Sequence, residues 1–159
     1  MKKVTEAGIG GKLGEWIENW LVNREQRVMV NESNSDWADV LSGVPQGSIL
    51  GPLLFTIYIN DLENNLNNSL TNFADDSKLL EKINTPAEVS KMQNDLKTLE
   101  NWSTKNSMPF NVSKCKVMHL GKKNTRQEYI LNEVRITKTK DEKDLGVFFL
   151  QIVKTFTKL

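Results

Sequence analysis

The chain has 159 residues, with Lys+Arg 21 against Asp+Glu 20 and a net charge of +1. That is one domain's worth of sequence, able to bury roughly 70% of its unfolded surface if it folds alone. Without a basic excess, a nucleic-acid partner would have to be met by a local groove, since total charge gives no pull.

The start, Met1-Lys2-Lys3-Val4-Thr5-Glu6, leads into no apolar h-region, so no signal peptide is expected. Leu13, Trp16, Ile17, Trp20 and Leu21 recur at helical spacing after Gly10-Gly11 and predict an amphipathic helix. Gln26 to Glu32 reads as a strand with Val28 and Val30 on one face. It turns through Asn31 to Asp36, and Trp37 to Leu41 reads as the return strand of a hairpin. Ser42 to Gly47 is a loop, and Leu53 to Leu62 an apolar helix behind Gly51-Pro52. The nearly apolar run Ile49 to Ile59 falls short of the about 20 residues a bilayer requires. With the single Cys115, which excludes an internal disulfide, this points to a reducing, intracellular compartment, cytoplasmic or nuclear, without a membrane.

Asn60 to Asn68 is polar and turn-rich, and Leu70 to Leu80 reads as two short strands meeting at Asp75-Asp76. Thr85-Pro86-Ala87-Glu88 has capping-box spacing. The stripe Val89, Met92, Leu96, Leu99 and Trp102 extends that helix to about Asn106. Lys116 to Leu120 predicts a strand, Tyr129 to Ile136 a hairpin turning at Asn132-Glu133, and Asp144 to Phe149 another strand. The class is α+β, with helices on one face of a largely antiparallel sheet.

Two runs carry the chemistry. Asp75 and Asp76 are adjacent carboxylates in a tight turn between apolar strands, where mutual repulsion is relieved by a divalent cation. Mg²⁺ takes oxygen ligands and typically binds through one or two carboxylates plus substrate phosphates. An Asp-Asp pair also makes an ordinary exposed turn. Upstream, Gly43-Val44-Pro45-Gln46-Gly47-Ser48 joins glycines that allow close backbone approach, a stiffening proline and the amide of Gln46. By itself it is also an ordinary loop into a helix.

Together these runs resemble motifs B and C of the reverse transcriptase domain of non-LTR retrotransposons (LINE elements, jockey-like). The resemblance rests on WIENWLVNREQRV at 16–28, SGVPQGSILGPLLFTIYINDL at 42–62, FADDSKL at 73–79, FNVSKCKVMHLG at 110–121 and EKDLGV at 142–147. It implies the palm of a right-hand polymerase, an RNA-directed DNA polymerase that uses Mg²⁺, an RNA template, a DNA primer (hence an RNA–DNA hybrid) and dNTP. It assigns metal binding and catalysis to Asp75 and Asp76. Pro45, Gln46, Gly47, Ser48, Phe73 and Ala74 would lie against template and nucleotide, and Leu145, Gly146 and Val147 would grip the primer end. Lys114 would act as general acid near the leaving pyrophosphate. As a residue of a basic stretch with Lys116, Lys122, Lys123 and Arg126, it reads equally as a surface lysine.

The family's first catalytic aspartate, on the motif A strand, has no counterpart before Gly43. Residues 1–147 are therefore expected to be a partial domain without motif A or fingers, and 148–159 a divergent tail. Such a chain, alone, is expected to be inactive as a polymerase and poorly soluble. In the family palm the motif A strand pairs beside the Asp-Asp hairpin, so its absence implies an open sheet edge there. A non-catalytic remnant and a nucleic-acid-binding module are the other readings. Cys115 and His119 do not make a zinc site, since two ligands do not close a tetrahedron. Trp37 and Trp102 are read as core despite their capacity to stack on bases, and the alternating charges of 138–143 as a solvated face.

Overall fold

A computed structural model describes residues 1–121, 124–144, 146–150 and 155–158. The chain divides into two compact units, Met1–Asn60 and Asp61–Leu159.

The first unit opens with a short helix α1 (Lys2–Glu6), followed by α2 (Gly11–Leu21). Its apolar stripe is only partly used. Ile17 is buried and Trp20 partly so, whereas Leu13 and Trp16 are more than half exposed. Trp16 stacks on Trp20 with ring centroids 6.2 Å apart. The expected hairpin forms in two short ladders: β1 (Glu25–Gln26) pairs with β4 (Ala38–Asp39), and β2 (Met29–Val30) with β3 (Ser33–Asn34). Asn31 and Glu32 at its tip have positive φ, 47° and 66°, the backbone that a two-residue turn of right-handed twist demands. Trp37 is not core: it is 58% exposed, and the Arg27 guanidinium lies over its ring at 4.7 Å. Helix α3 (Leu50–Ile59) begins three residues earlier than its sequence suggests, because Ser48 organises the turn before it. The unit's small core gathers Val4, Ile17 and Leu54.

The second unit carries a five-stranded sheet in the order β10 (Thr137–Thr139), β7 (Lys116–Met118), β13 (Thr155–Lys158), β6 (Asp76–Glu81) and β5 (Ser69–Phe73). β5 (Ser69–Phe73) and β6 (Asp76–Glu81) form the hairpin joined by Ala74-Asp75. Helix α4 (Pro86–Lys105) starts at the expected box: Thr85 Oγ1 accepts from the Glu88 N–H, while the Glu88 carboxylate accepts from the N–H of Thr85 and of Asn84. These hydrogen bonds hold the Glu88 carboxyl below the usual range. β7 (Lys116–Met118) ends earlier than expected. β8 (Ile130–Leu131) and β9 (Val134–Arg135) make the hairpin at Asn132-Glu133. β10 (Thr137–Thr139) runs parallel to β7, the one parallel pairing among the described residues.

Where one strand was expected at 144–149, the chain folds back as β11 (Asp141–Asp144) paired with β12 (Val147–Leu150). The glycine at 146, with φ 83°, supplies the reversal. The 138–143 stretch is thus strand in large part, its Glu142 pairing with Lys116 at 2.9 Å. The last described strand, β13 (Thr155–Lys158), corrects a second expectation. It pairs antiparallel with both β6 and β7, so the edge of β6 beside the Asp-Asp hairpin is covered by the chain's own tail. The core lies between α4 and the sheet, with Met92, Leu96 and Leu99 packed with Leu79, Val117, Tyr129 and Leu131.

Candidate nucleotidyl-transfer site

The hairpin that bears Asp75 and Asp76 is built from a strong frame and a strained tip. Register runs from Ser69↔Leu80 to Phe73↔Asp76, which leaves only Ala74 and Asp75 to turn the chain. Ala74 adopts φ 51°, a left-handed conformation costing an L residue about 1–2 kcal/mol. Behind the tip, Ser77, Lys78 and Leu79 are buried, which anchors β6. Asp75 is exposed, Asp76 half-buried, and Phe73 and Ala74 are exposed beside them.

The other end of the hairpin is clamped by a residue not singled out from the sequence. Asp95, fully buried on α4, accepts from the N–H of Asn67 at 2.9 Å, from the N–H of Asn68 at 2.8 Å and from Asn67 Nδ2 at 2.8 Å. Three donors converge on one carboxylate immediately before β5 begins. The signal was present: Asp95 interrupts the apolar stripe of Met92, Leu96 and Leu99, where a carboxylate survives only if it is hydrogen-bonded. Trp102, read as core, is partly buried and donates from Nε1 to Asp61 Oδ1 at 2.8 Å.

Lys114 is exposed on the turn that precedes β7, where its N–H donates to the Asn111 carbonyl at 2.9 Å. Its position relative to the aspartates follows from topology. β6 and β7 are both antiparallel to β13 and therefore run in the same direction. One cross-strand row contains Lys78, Lys158 and Lys116. Asp76 stands two residues before Lys78 and Lys114 two residues before Lys116. The Asp-Asp tip and the Lys114 turn thus occupy the same end of the sheet, about two strand spacings or ~10 Å apart along the sheet.

In the first unit, the glycine-rich loop is locked from within. Ser48 Oγ donates to the Pro45 carbonyl at 2.7 Å and accepts from the Gly51 N–H at 3.0 Å. A Cβ on Gly51 would lie 2.9 Å from Ser48 Oγ, so only glycine allows that approach. Gln46 and Gly47 are exposed at the crest, Gly47 with φ 78°, while Pro45 and Ser48 are half-buried beneath. Arg24, also missed, ties the loop to α2 by donating from Nε to the Leu21 carbonyl at 2.9 Å and from Nη2 to the Gly43 carbonyl at 2.6 Å. Of the expected primer-end residues, Gly146 and Val147 are exposed at the β11–β12 turn. Leu145 lies outside the described residues.

Among the described residues, no group of three or more His, Cys, Asp or Glu is placed to hold a metal ion. Two oxygen donors of the right chemistry are present in Asp75 and Asp76, enough to hold one ion when substrate phosphates and water supply the rest. Cys115 is buried with its thiol pushed up by burial, and donates to the Asn111 carbonyl. Burial also pushes the His119 imidazole down. Among the described residues, neither falls in a group of three or more possible metal ligands. No helix among the described residues is long and apolar enough to cross a membrane.

The profile of the family described as reverse transcriptase (RNA-dependent DNA polymerase) matches residues 1–150. The RNA-directed DNA polymerase from mobile element jockey of Drosophila melanogaster is 27% identical over 108 residues, 62% of this chain and 12% of that protein. Its counterpart in Drosophila funebris is 29% identical over 115 residues, 65% of this chain and again 12% of the relative. The chain therefore spans about an eighth of the length of these curated relatives. No solved structure matches significantly. From the Pro45–Ser48 loop to the Asp75–Asp76 hairpin, this chain belongs to the reverse transcriptase family, in its jockey-like, non-LTR retrotransposon branch.

Proposed function

We propose that residues 1–147 form the palm portion of an RNA-directed DNA polymerase, with 148–159 outside the family pattern. The substrates would be an RNA template, a DNA primer and dNTP. The observation that carries the reading is the shared sheet end of the Asp75–Asp76 tip and the Lys114 turn. Asp75 and Asp76 would hold Mg²⁺, which when bound activates the 3′-hydroxyl and stabilises the leaving pyrophosphate. The chain's own groups do the remaining work. The short hairpin fixes both carboxylates on a frame clamped by Asp95. Phe73 and Ala74 flank them as surface for the nucleotide. The Lys114 ammonium, on the turn before β7 and two strand spacings from β6, would donate a proton to the departing pyrophosphate oxygen. Pro45, Gln46, Gly47 and Ser48 offer an amide and an open backbone to template and base, and Leu145, Gly146 and Val147 would meet the primer end.

Two carboxylates without a third in the described residues favour a chain that binds hybrid but does not extend it alone. Catalytic groups act as a unit, and losing one removes nearly all the rate. The test is primer extension on an RNA template with Mg²⁺, comparing the chain with its Asp75→Ala, Asp76→Ala double variant. No extension, together with salt-dependent binding of RNA–DNA hybrid, is expected. Extension that depends on the aspartates would show that another carboxylate completes the site. Absence of both binding and extension would sink the polymerase reading for this chain.

A further inference from the structure

The five-stranded sheet ends on one side at β5, and that edge is built unlike its opposite. Among the described residues β5 has β6 as its only neighbour in the sheet. Natural sheets blunt an edge with a charged side chain, a proline or a bulge. The far edge strand, β10, carries Lys138 and is followed by Lys140. β5 has none of these devices. Residues 64–74 contain no charge and no proline, and unbroken pairing from Ser69↔Leu80 to Phe73↔Asp76 leaves no bulge. Ser69, Thr71, Asn72 and Phe73 are exposed.

The two-residue turn fixes which backbone groups face outward. Phe73↔Asp76 closes the hairpin as a hydrogen-bonded pair, and such pairs alternate along an antiparallel ladder. Ser69 and Thr71 therefore bond inward to β6, whereas the N–H and C=O of Leu70 and Asn72 point away from it. Among the described residues, none of those four groups has a hydrogen-bond partner. They are self-complementary. A twofold axis through Thr71 sets Leu70 opposite Asn72 of a second copy, and Asn72 opposite its Leu70, which pairs every one of those groups. Any other antiparallel register brings in Asn68, whose N–H Asp95 already holds at 2.8 Å, or Ala74, which is left-handed at φ 51°. At the axis, Thr71 meets Thr71 of the second copy in a non-hydrogen-bonded pair, where side chains stand closest and threonine pairs are favourable.

We propose that β5 is a homodimer edge, pairing antiparallel with β5 of a second copy about Thr71 so that one sheet runs through both chains. The twofold consumes the β5 edge of each copy, so the assembly closes at two. This does not rest on nucleotidyl transfer, and its test uses no nucleic acid.

The experiment follows the mass of the full chain by sedimentation across a concentration series. The edge is small, so association is expected in the range of about 10–100 µM. Thr71→Lys sets like charges directly opposite each other and should weaken association at least about 10-fold, as should Thr71→Glu. An equimolar mixture of those two variants should recover a dimer containing one of each, which a variant that merely misfolds would not do. Under mild oxidation, Thr71→Cys should give a disulfide-linked dimer, since the paired Cα atoms would stand about 4.5 Å apart. Asn72→Cys, opposite Leu70, should not, and the native Cys115 is buried. A monomer at every concentration, mass rising beyond two copies, association unmoved by Thr71→Lys, no recovery on mixing, or equal cross-linking of the two cysteine variants would each overturn the proposal.

Discussion

Asp95 offers the sharpest test of how the hairpin is held. The Asp95→Asn substitution keeps the size of the side chain but replaces one carboxylate oxygen with an NH₂ group. Two backbone N–H groups and Asn67 Nδ2 now converge on that carboxylate at 2.8–2.9 Å in a fully buried site. With one oxygen left, at least one donor faces another donor, and the remaining bonds lose their charge assistance. Hydrogen bonds to charged groups are worth ~1.5–3 kcal/mol, and an orphaned buried donor costs a similar amount, so a loss of about 3 kcal/mol is expected. For an m-value of about 2 kcal/mol/M in urea, the unfolding midpoint should fall by about 1.5 M. The four tryptophans would blur the readout, since three lie in the first unit. In a Trp16→Phe, Trp20→Phe, Trp37→Phe background, Trp102 reports the second unit alone. Amide exchange at Asn67, Asn68 and along β5 should accelerate with the same substitution. A midpoint lowered by less than about 0.3 M, with those amides still protected, would refute the clamp.

Ala74→Gly removes the left-handed strain at the hairpin tip and should raise thermal stability by about 1 kcal/mol, read by calorimetry. Gly51→Ala should cost about 1–3 kcal/mol, because the new Cβ meets Ser48 Oγ and must open the Pro45–Ser48 turn. Burial, then the Glu81 charge, pushes the Tyr129 phenol up to about 12 from the ordinary 10.0. Its contribution to stability is therefore complete below pH 10 and lost as pH rises through about 12, and Tyr129→Phe should abolish that alkaline loss in pH-dependent unfolding. The Glu88 carboxyl is lowered, so its contribution is present above its ordinary 4.5 and disappears as acid titrates it below that value. Helicity of Glu88→Gln should be flat across the same acid range.

How much was legible follows from the range of each interaction. The start of α4 was readable because Thr85 and Glu88 satisfy each other's backbone within three residues. The Asn132-Glu133 turn was readable because asparagine tolerates the positive φ that the turn needs. The Asp75–Asp76 hairpin was readable from its strands, although the strain falls on Ala74. Long-range partners were not. Asp95 reaches back across 27 and 28 residues, and Arg24 forward across 19 to the Gly43 carbonyl. Trp16 and Trp37 fit apolar patterns yet stand exposed, since periodicity records which face a residue occupies and not whether anything covers it.

The sheet edge beside the aspartates is where sequence and structure differ most, and the reason is physical. Short strands carry little register information, and a four-residue segment such as Thr155-Phe156-Thr157-Lys158 has weak alternation of its own. What recruits it is the demand of its neighbours. β6 and β7 carry buried apolar residues and present hydrogen-bonding backbone to the strand between them, and leaving those backbone groups unbonded in a buried sheet is costly. The family resemblance foretold a vacancy from the absence of one strand, which is a statement about sequence. The backbone's hydrogen-bonding demand acts on whatever chain is within reach. The same argument separates order from activity, since pairing with β13 satisfies the backbone of β6 and not its side chains. Sheet closure through β13 is thus a matter of backbone pairing, separate from the chemistry of Asp75 and Asp76.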